Sequence, residues 1–439
     1  MYKSVQMYIT KQSNPVFFDY FYRNACLAKN LYNASLYRVR QTFTASKKSS
    51  LTTNEQEVAN EQALVCATLR CKPQNVLTYH RLEKMMRLTH NSDYFAGLPM
   101  QSAEAIVKLA TSKFWEWLKA KKDYKKNPSK YTGEPKIPKY KKQDIMTLEY
   151  TNQDVTIYDN GIKFPKIKTR LVVSNLKPSD TLKQVLVKPF YDGFMVCFVI
   201  DVETAPVSHS MPNCASIDLG VENLATLVTN EGHTYLYKGG IIKSINQHYN
   251  KQRAHYTSVL QLQTQAKAVS SKRLTVLDRK RYFQLKDYFH KVSKDIIAKC
   301  VQHHVGTLVI GENKQWKQNV NIGKVNNQTF VSVPFTMLKK QLEYKAEQVG
   351  IQVVYQEESY TSKVDFLSKD KIPSLGDKKP SFSGKRKGRG LYQSGTGVVL
   401  NADINGACNI LRKYDEHAFD GVADFQYLQQ PTVLSNLYM

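Results

Sequence analysis

The chain has 439 residues, with 63 Lys and Arg against 37 Asp and Glu, a formal net charge of +26, and 42% hydrophobic residues. That length exceeds one ordinary core, so two or three domains are expected, and the apolar content excludes a disordered chain. The seven cysteines (26, 66, 71, 197, 214, 300 and 408) contain no Cys-x-x-Cys pair, and no apolar run reaches membrane-spanning length, which argues against a disulfide framework, a zinc ribbon and a membrane protein.

Residues 2–10 alternate, with Val5, Met7 and Ile9 against Ser4, Gln6 and Tyr8, which predicts a half-buried strand. Asn14-Pro15 reads as an N-cap followed by proline at the first helical position, and Phe17, Phe21, Leu27, Leu31 and Ala34 share one side of the helix that follows. Helices are also predicted over Thr52–Leu69, Asn75–Leu88 and Met100–Ala120. The last carries Ala103, Ile106, Val107, Ala110, Phe114 and Trp117 at helical spacing.

A basic run follows. Lys121, Lys122, Lys125, Lys126, Lys139, Lys141 and Lys142 are punctuated by Pro128, Pro135 and Pro138 and interleaved with Tyr124, Tyr131 and Tyr140. Charge runs are commonly solvated linkers, whereas interleaved tyrosines suit base stacking, so both a linker and a nucleic-acid contact are expected readings. Short strands follow at Met146–Tyr150, Val155–Tyr158, Gly161–Phe164, Leu171–Val173, Gln184–Pro189 and Gly193–Ile200, with turns at Asp159–Gly161 and Tyr191–Gly193. They predict a small β-barrel that the N-terminal strand completes, with the helices inserted into it.

From about Pro212 the pattern changes to three strands, Ala215–Leu219, Ala225–Thr229 and Thr234–Tyr237, then helical sequence from Ile242 to His303. Strand Thr307–Ile310, helix Pro334–Val349 and strand Ile351–Tyr355 come next. Asp365–Gly397, rich in Lys, Gly, Ser and Pro, reads as a mobile loop or small insert before a helix starting near Asp403. Three antiparallel strands and then helix–strand–helix–strand–helix is the element order of an RNase H-like fold. The fold class expected for the chain is α+β and multidomain.

Three acids stand where buried elements meet open space: Asp218 after an apolar strand, Glu312 after Thr307–Gly311, and Asp403 in the first turn of a helix. If they converge they repel one another unless cations intervene, and all-oxygen ligands suit two Mg²⁺ or Mn²⁺ ions. Two such ions about 4 Å apart clamp the attacking and leaving oxygens of a phosphodiester. Gly406 and Ala407 let the last helix approach the sheet closely. Glu222 and Glu358 could support the site's ligands from behind but are treated as background acids in this reading, and the histidines are structural or surface residues.

The motifs resemble a known family. Ser216–Leu227, Val309–Asn313 and Asn401–Arg412 are similar to the three RuvC motifs of TnpB, the RNA-guided nuclease of bacterial insertion sequences, and Glu358–Lys363 and Gly133–Lys141 are similar to other segments of it. The resemblance is most specific over 212–413 and extends to the compact type V CRISPR effectors. It implies an Mg-dependent RNA-guided DNA endonuclease with Asp218, Glu312 and Asp403 as catalytic metal ligands. It further implies a guide RNA derived from the transposon end, a target-adjacent motif and duplex DNA opened to an RNA–DNA heteroduplex. A cytoplasmic bacterial protein that works as a monomer is expected. The alternatives are an RNA-guided DNA-binding protein that represses without cleavage, and a compact type V effector.

The family's architecture divides the chain as follows. Residues 1–14 form the first strand of a β-barrel (wedge) domain, 15–125 a helical recognition domain and 126–206 the rest of the wedge. Residues 207–413 form the RuvC-like nuclease domain and 414–439 a tail. Many members carry a four-cysteine zinc finger near 364–399. Here that insert has no cysteine, so no structural zinc is expected. Its basic cluster, Lys385, Arg386, Lys387 and Arg389, is read as a lid that guides single-stranded DNA.

Overall fold

The computed structural model describes residues 2–202, 211–265, 270–312, 332–373, 381–388, 390–422, 425–435 and 437. The chain divides into two compact units, Met1–Val202 and Glu203–Met439.

In the first unit, strand β1 (Tyr2–Thr10) pairs antiparallel with β7 (Gly193–Asp201) from Tyr2↔Asp201 to Thr10↔Gly193. Four helices are thereby inserted between two paired strands: α1 (Pro15–Ala45), α2 (Thr53–Leu69), α3 (Tyr79–Leu88) and α4 (Met100–Lys126). Helix α1 begins where expected because the Asn14 side chain accepts the Phe17 N–H at 3.1 Å and Pro15 needs no donor partner. Its Phe17 and Phe21 are fully buried and meet Phe164 at ring-centroid distances of 5.8 and 5.3 Å. Helix α2 opens with a capping box, Thr52 and Glu55 satisfying each other's backbone N–H.

Helix α4 runs past the expected end at Ala120 to Lys126. Lysine is a good helix former, and Lys125 and Lys126 in the last turn complement the dipole. The first half of the basic run is therefore helix, and the second half is strapped down rather than a free linker. Trp117 donates to the Pro135 carbonyl at 2.9 Å, Arg40 to that of Pro138 at 3.3 Å, and Asn33 makes two hydrogen bonds with the Lys141 backbone. The tyrosines are engaged too. Tyr131 donates to Asp123 at 2.8 Å and packs edge-on against Tyr124, and Arg40 lies over Tyr140.

The strands expected to form a barrel lie in two sheets. One has the order β1-β7-β6-β2, with β2 at Leu148–Thr151 and β6 at Thr181–Phe190. The other has the order β3-β4-β5, with β3 at Thr156–Tyr158, β4 at Gly161–Lys163 and β5 at Arg170–Leu171.

The second unit is built on β8 (Asn213–Asp218), β9 (Asn223–Thr229) and β10 (Thr234–Lys238), an antiparallel meander. Strand β11 (Val305–Glu312) adds parallel to β8, and β12 (Gln352–Glu357) parallel to β11. This is the RNase H-like strand arrangement. The tail contributes an unexpected sixth strand, β16 (Thr432–Leu434), parallel to β10.

Residues alternate between the two faces of this sheet. Ala215, Ile217, Leu308 and Ile310 join a core with α6 (Lys272–Gln302) and α7 (Phe335–Gln348), which follow the more exposed α5 (Gly240–Thr264). Val309 faces the other way, into a core with α8 (Ala402–Tyr414).

The insert is more ordered than its composition suggests. Strands β13 (Lys385–Gly388), β14 (Leu391–Gln393) and β15 (Val399–Asn401) form a sheet, and buried Tyr392 donates to the Lys363 carbonyl at 2.8 Å. A polar knot replaces the missing apolar periodicity. The buried Asp365 carboxylate accepts from Ser368 Oγ at 2.7 Å, Ser394 Oγ at 2.8 Å, Gly395 N–H at 2.7 Å and Leu367 N–H at 3.1 Å. From α8, Asn405 and Asn409 hold the Val364 carbonyl at 2.7 and 2.8 Å.

Candidate active site

Asp218 is the last residue of β8 and faces α8, as does Ser216, whose hydroxyl donates to the Ala407 carbonyl at 2.7 Å. Helix and strand touch at Gly406, where a Cβ would lie 2.8 Å from Asp218 Oδ2. One turn earlier Asn401 caps α8 by accepting the Asp403 N–H at 2.9 Å, which places Asp403 in the first turn. Asp403 Oδ2 accepts from Asn223 Nδ2 at 2.7 Å, and the Arg386 guanidinium lies 3.9 Å from Oδ1. Burial pushes the Asp218 carboxyl well above the usual carboxylate range. The charges of Asp403 and Glu358 add to the rise, and Arg386 opposes it.

Glu312 ends β11, and strand alternation sends it off the sheet on the side of Ile310. Its carboxylate meets Lys339 of α7 at 3.5 Å. Asp218 and Asp403 thus lie within electrostatic reach of each other, and Glu312 stands on the adjoining strand end. Glu358, just past β12, lies between them. Its Oε2 would be 2.5 Å from a Cβ on Gly311, the neighbour of Glu312. Burial raises the Glu358 carboxyl, Lys339 opposes the rise, and Glu357 and Glu312 reinforce it.

Sequence reasoning left Glu358 in the background and passed over Asn223 and Lys339. The available signal was the small residue Gly311, which leaves room for a carboxylate beside the strand end. Glu222 is exposed and pairs with Lys243 at 2.5 Å.

The basic residues fall in both units. Lys121 pairs with Glu134 at 3.3 Å, whereas Lys122, Lys125 and Lys126 are exposed on the last turns of α4, and Lys139, Lys141 and Lys142 on the strapped segment after it. Lys385 and Lys387 are exposed on β13, with Arg386 turned toward Asp403. Arg389 lies outside the described residues.

Among the described residues, the one group of three or more such side chains whose ligand atoms all lie within 4.8 Å of one another is Glu231, His233 and His303, at the opposite end of the sheet. The two imidazoles stack 3.9 Å apart at 23°, so their in-plane lone pairs run side by side instead of converging on one ion. By contrast, Asp218, Asp403, Glu312 and Glu358 offer oxygen ligands only and repel one another, which fits Mg²⁺ or Mn²⁺.

Fold and acids together define an RNase H-like protein with a carboxylate cluster at the C-terminal ends of its parallel strands. The family described as "Probable transposase" matches residues 197–317, and that described as "Cas12f1-like, TNB domain" matches residues 335–410. The TnpB-like protein ORF457 of Acidianus two-tailed virus is 26% identical over 204 residues, which cover 45% of this chain and 41% of that protein. Together these matches support a TnpB-type protein.

Two solved structures are similar over most of the chain. A Cas12f1–sgRNA–target DNA complex has a TM-score of 0.47 at 13% identity, covering 91% of this chain and 84% of that one. The mini-RNA-guided endonuclease CRISPR-Cas_phi3 has a TM-score of 0.45 at 11% identity, covering 94% and 92%. No helix among the described residues is long and apolar enough to cross a membrane.

Proposed function

We propose that the protein is an RNA-guided DNA endonuclease that hydrolyses phosphodiesters at Asp218, Glu312 and Asp403. The observation that carries this reading is the contact of Asp218 with α8 at Gly406, which brings the Asp218 carboxylate within electrostatic reach of Asp403. Two half-buried like charges are costly, and divalent cations held by these carboxylates would remove the cost. When bound, two such ions supply an activated water and neutralise charge on the leaving 3′-oxygen.

The chain's own residues orient the acids. Asn223 fixes one Asp403 oxygen, the Asn401 cap fixes its backbone, and the missing side chain at Gly406 leaves Asp218 room. Arg386 and Lys339 offset the negative charge, and exposed Lys385 and Lys387 present phosphate-binding charge beside Asp403. In this reading a guide RNA from the transposon end pairs with the target strand of duplex DNA opened next to a short motif. The excess of 26 positive charges neutralises the backbones, and the complex works in the bacterial cytoplasm with one protein copy.

The test is the sequence of RNA that co-purifies with the protein, followed by incubation of the complex with a supercoiled plasmid carrying the matching target. Mg²⁺-dependent linearisation that disappears in Asp218→Ala is expected. Tight, guide-dependent binding with no strand break under any divalent cation overturns the nuclease reading in favour of a binding protein.

A further inference from the structure

We infer that Glu358 is a fourth carboxylate ligand of the metal site, completing on the α8 face of the sheet the set begun by Asp218 and Asp403. The inference rests on the nuclease reading above and deepens it.

Sheet register carries the argument. Ile310 pairs with Ile217, so the next residues, Gly311 and Asp218, lie side by side on adjacent parallel strands. Both face α8. Asp218 touches Gly406, and the space where a Gly311 side chain would stand is shared by Ile410 Cδ1 at 2.8 Å and Glu358 Oε2 at 2.5 Å. The Glu358 carboxylate therefore occupies the side-chain position of Gly311, one strand spacing (about 5 Å) from Asp218. That separation lets two carboxylates share one hard cation or flank a pair.

Glu312 leaves from the other face, toward Lys339. Glu358, not Glu312, thus shares a face with the two aspartates. The adjacent Glu357 is spoken for: Lys413 Nζ binds it at 2.6 Å and the Ser359 N–H at 2.7 Å. Gly311 is then a requirement of the site, because any side chain there evicts the Glu358 carboxylate.

The test is Mn²⁺ binding to the full chain, free of nucleic acid, followed by electron paramagnetic resonance of the unbound ion. Glu358→Gln keeps the shape and removes the charge, and Glu358→Asp keeps the charge on a shorter arm. Glu357→Gln is the neighbouring control, and Asp218→Ala tests the metal site itself. Glu358→Gln is expected to raise the half-saturating Mn²⁺ about tenfold or more, with Glu358→Asp intermediate and Glu357→Gln unchanged. The Mn²⁺ dependence of plasmid cleavage should shift in the same order and recover at high Mn²⁺. Thermal melts identify any variant that fails to fold, and Gly311→Ala, which displaces the same carboxylate from the strand side, then gives the answer. Wild-type Mn²⁺ affinity in Glu358→Gln and Gly311→Ala, with affinity lost in Asp218→Ala, overturns the role of Glu358 alone. Unchanged affinity in Asp218→Ala as well overturns the metal reading on which it stands.

Discussion

Gly406 and Asp218 are in such close contact that a single added carbon on the glycine would sit 2.8 Å from the carboxylate. Alanine is a better helix former than glycine by about 1 kcal/mol, and the atom it meets is the movable end of a side chain. Gly406→Ala should therefore fold at least as stably as the natural chain while displacing Asp218. A displacement of that kind is expected to cost about 100-fold in cleavage rate, read by single-turnover kinetics beside a thermal melt.

Asp218 should weaken the metal-free fold at neutral pH. Its folded-state pKa is raised, so the folded chain binds more protons than the unfolded one, and stability falls as pH rises through that interval. Asp218→Asn in EDTA should melt higher than the natural protein, by ~2–4 °C for each kcal/mol of repulsion removed. Added Mg²⁺ should raise the melting temperature of the natural chain and leave the variant unchanged.

The knot at Asp365 makes the opposite prediction. Burial alone would raise this carboxyl, but hydrogen bonds from Gly395, Ser368 and Ser394 outweigh it and hold the pKa below the usual range. Its stabilisation is present above the unfolded-state pKa and lost as pH falls through the folded one. Asp365→Asn turns an acceptor into a donor facing donors and should cost about 1–3 kcal/mol in urea unfolding of the full chain. Protease cleavage within 364–399 should become faster.

His290 sets an acid limit of its own. Burial first, then Lys345 and Lys286, hold its pKa down to about 4, against about 6.5 for a free histidine. In that window the unfolded chain binds the extra proton, so stability drops as pH falls from 6.5 toward 4. His290→Gln should flatten the fall in melting temperature over that window, measured against the natural chain at each pH.

The exposed lysines at the end of α4 can be assayed by salt. If Lys122, Lys125 and Lys126 contact RNA phosphates, replacing all three with alanine should reduce the slope of log affinity against log salt by about 2, or roughly 0.7 for each contact. Filter binding with the co-purified RNA measures it, and an unchanged slope assigns these side chains to solvent.

Where one residue's chemistry dictates its surroundings, the sequence was legible. Asn14-Pro15 announced α1, the meander and two parallel strands showed in their apolar runs, and Asp403 fell in the first turn of its helix. The chain pattern misled where stability comes from polar contacts between distant segments. Asp365 reaches Ser394 and Gly395 some thirty positions away, so 364–399 looked like a loop. Likewise the Lys-Pro-Tyr run looked solvated because its anchors, Asn33 and Arg40, lie on another helix. Within the site, periodicity marks Asp218 and Glu312 as strand-end acids but not that they leave opposite faces. Only the register of β8 against β11 shows that, and with it the place of Glu358.

The pairing of β1 with β7 also bears on how the chain is made. A ribosome releases Tyr2–Thr10 long before Gly193–Asp201, so the early strand must wait, unpaired, while every helix of the unit emerges. The helices can close on local contacts, but the sheet that joins their ends is assembled only after the unit's last strand has been synthesised. A stalled or truncated product lacking β7 would carry a bare edge with Val5 and Ile9 uncovered, the form of this protein most open to aggregation and quality control.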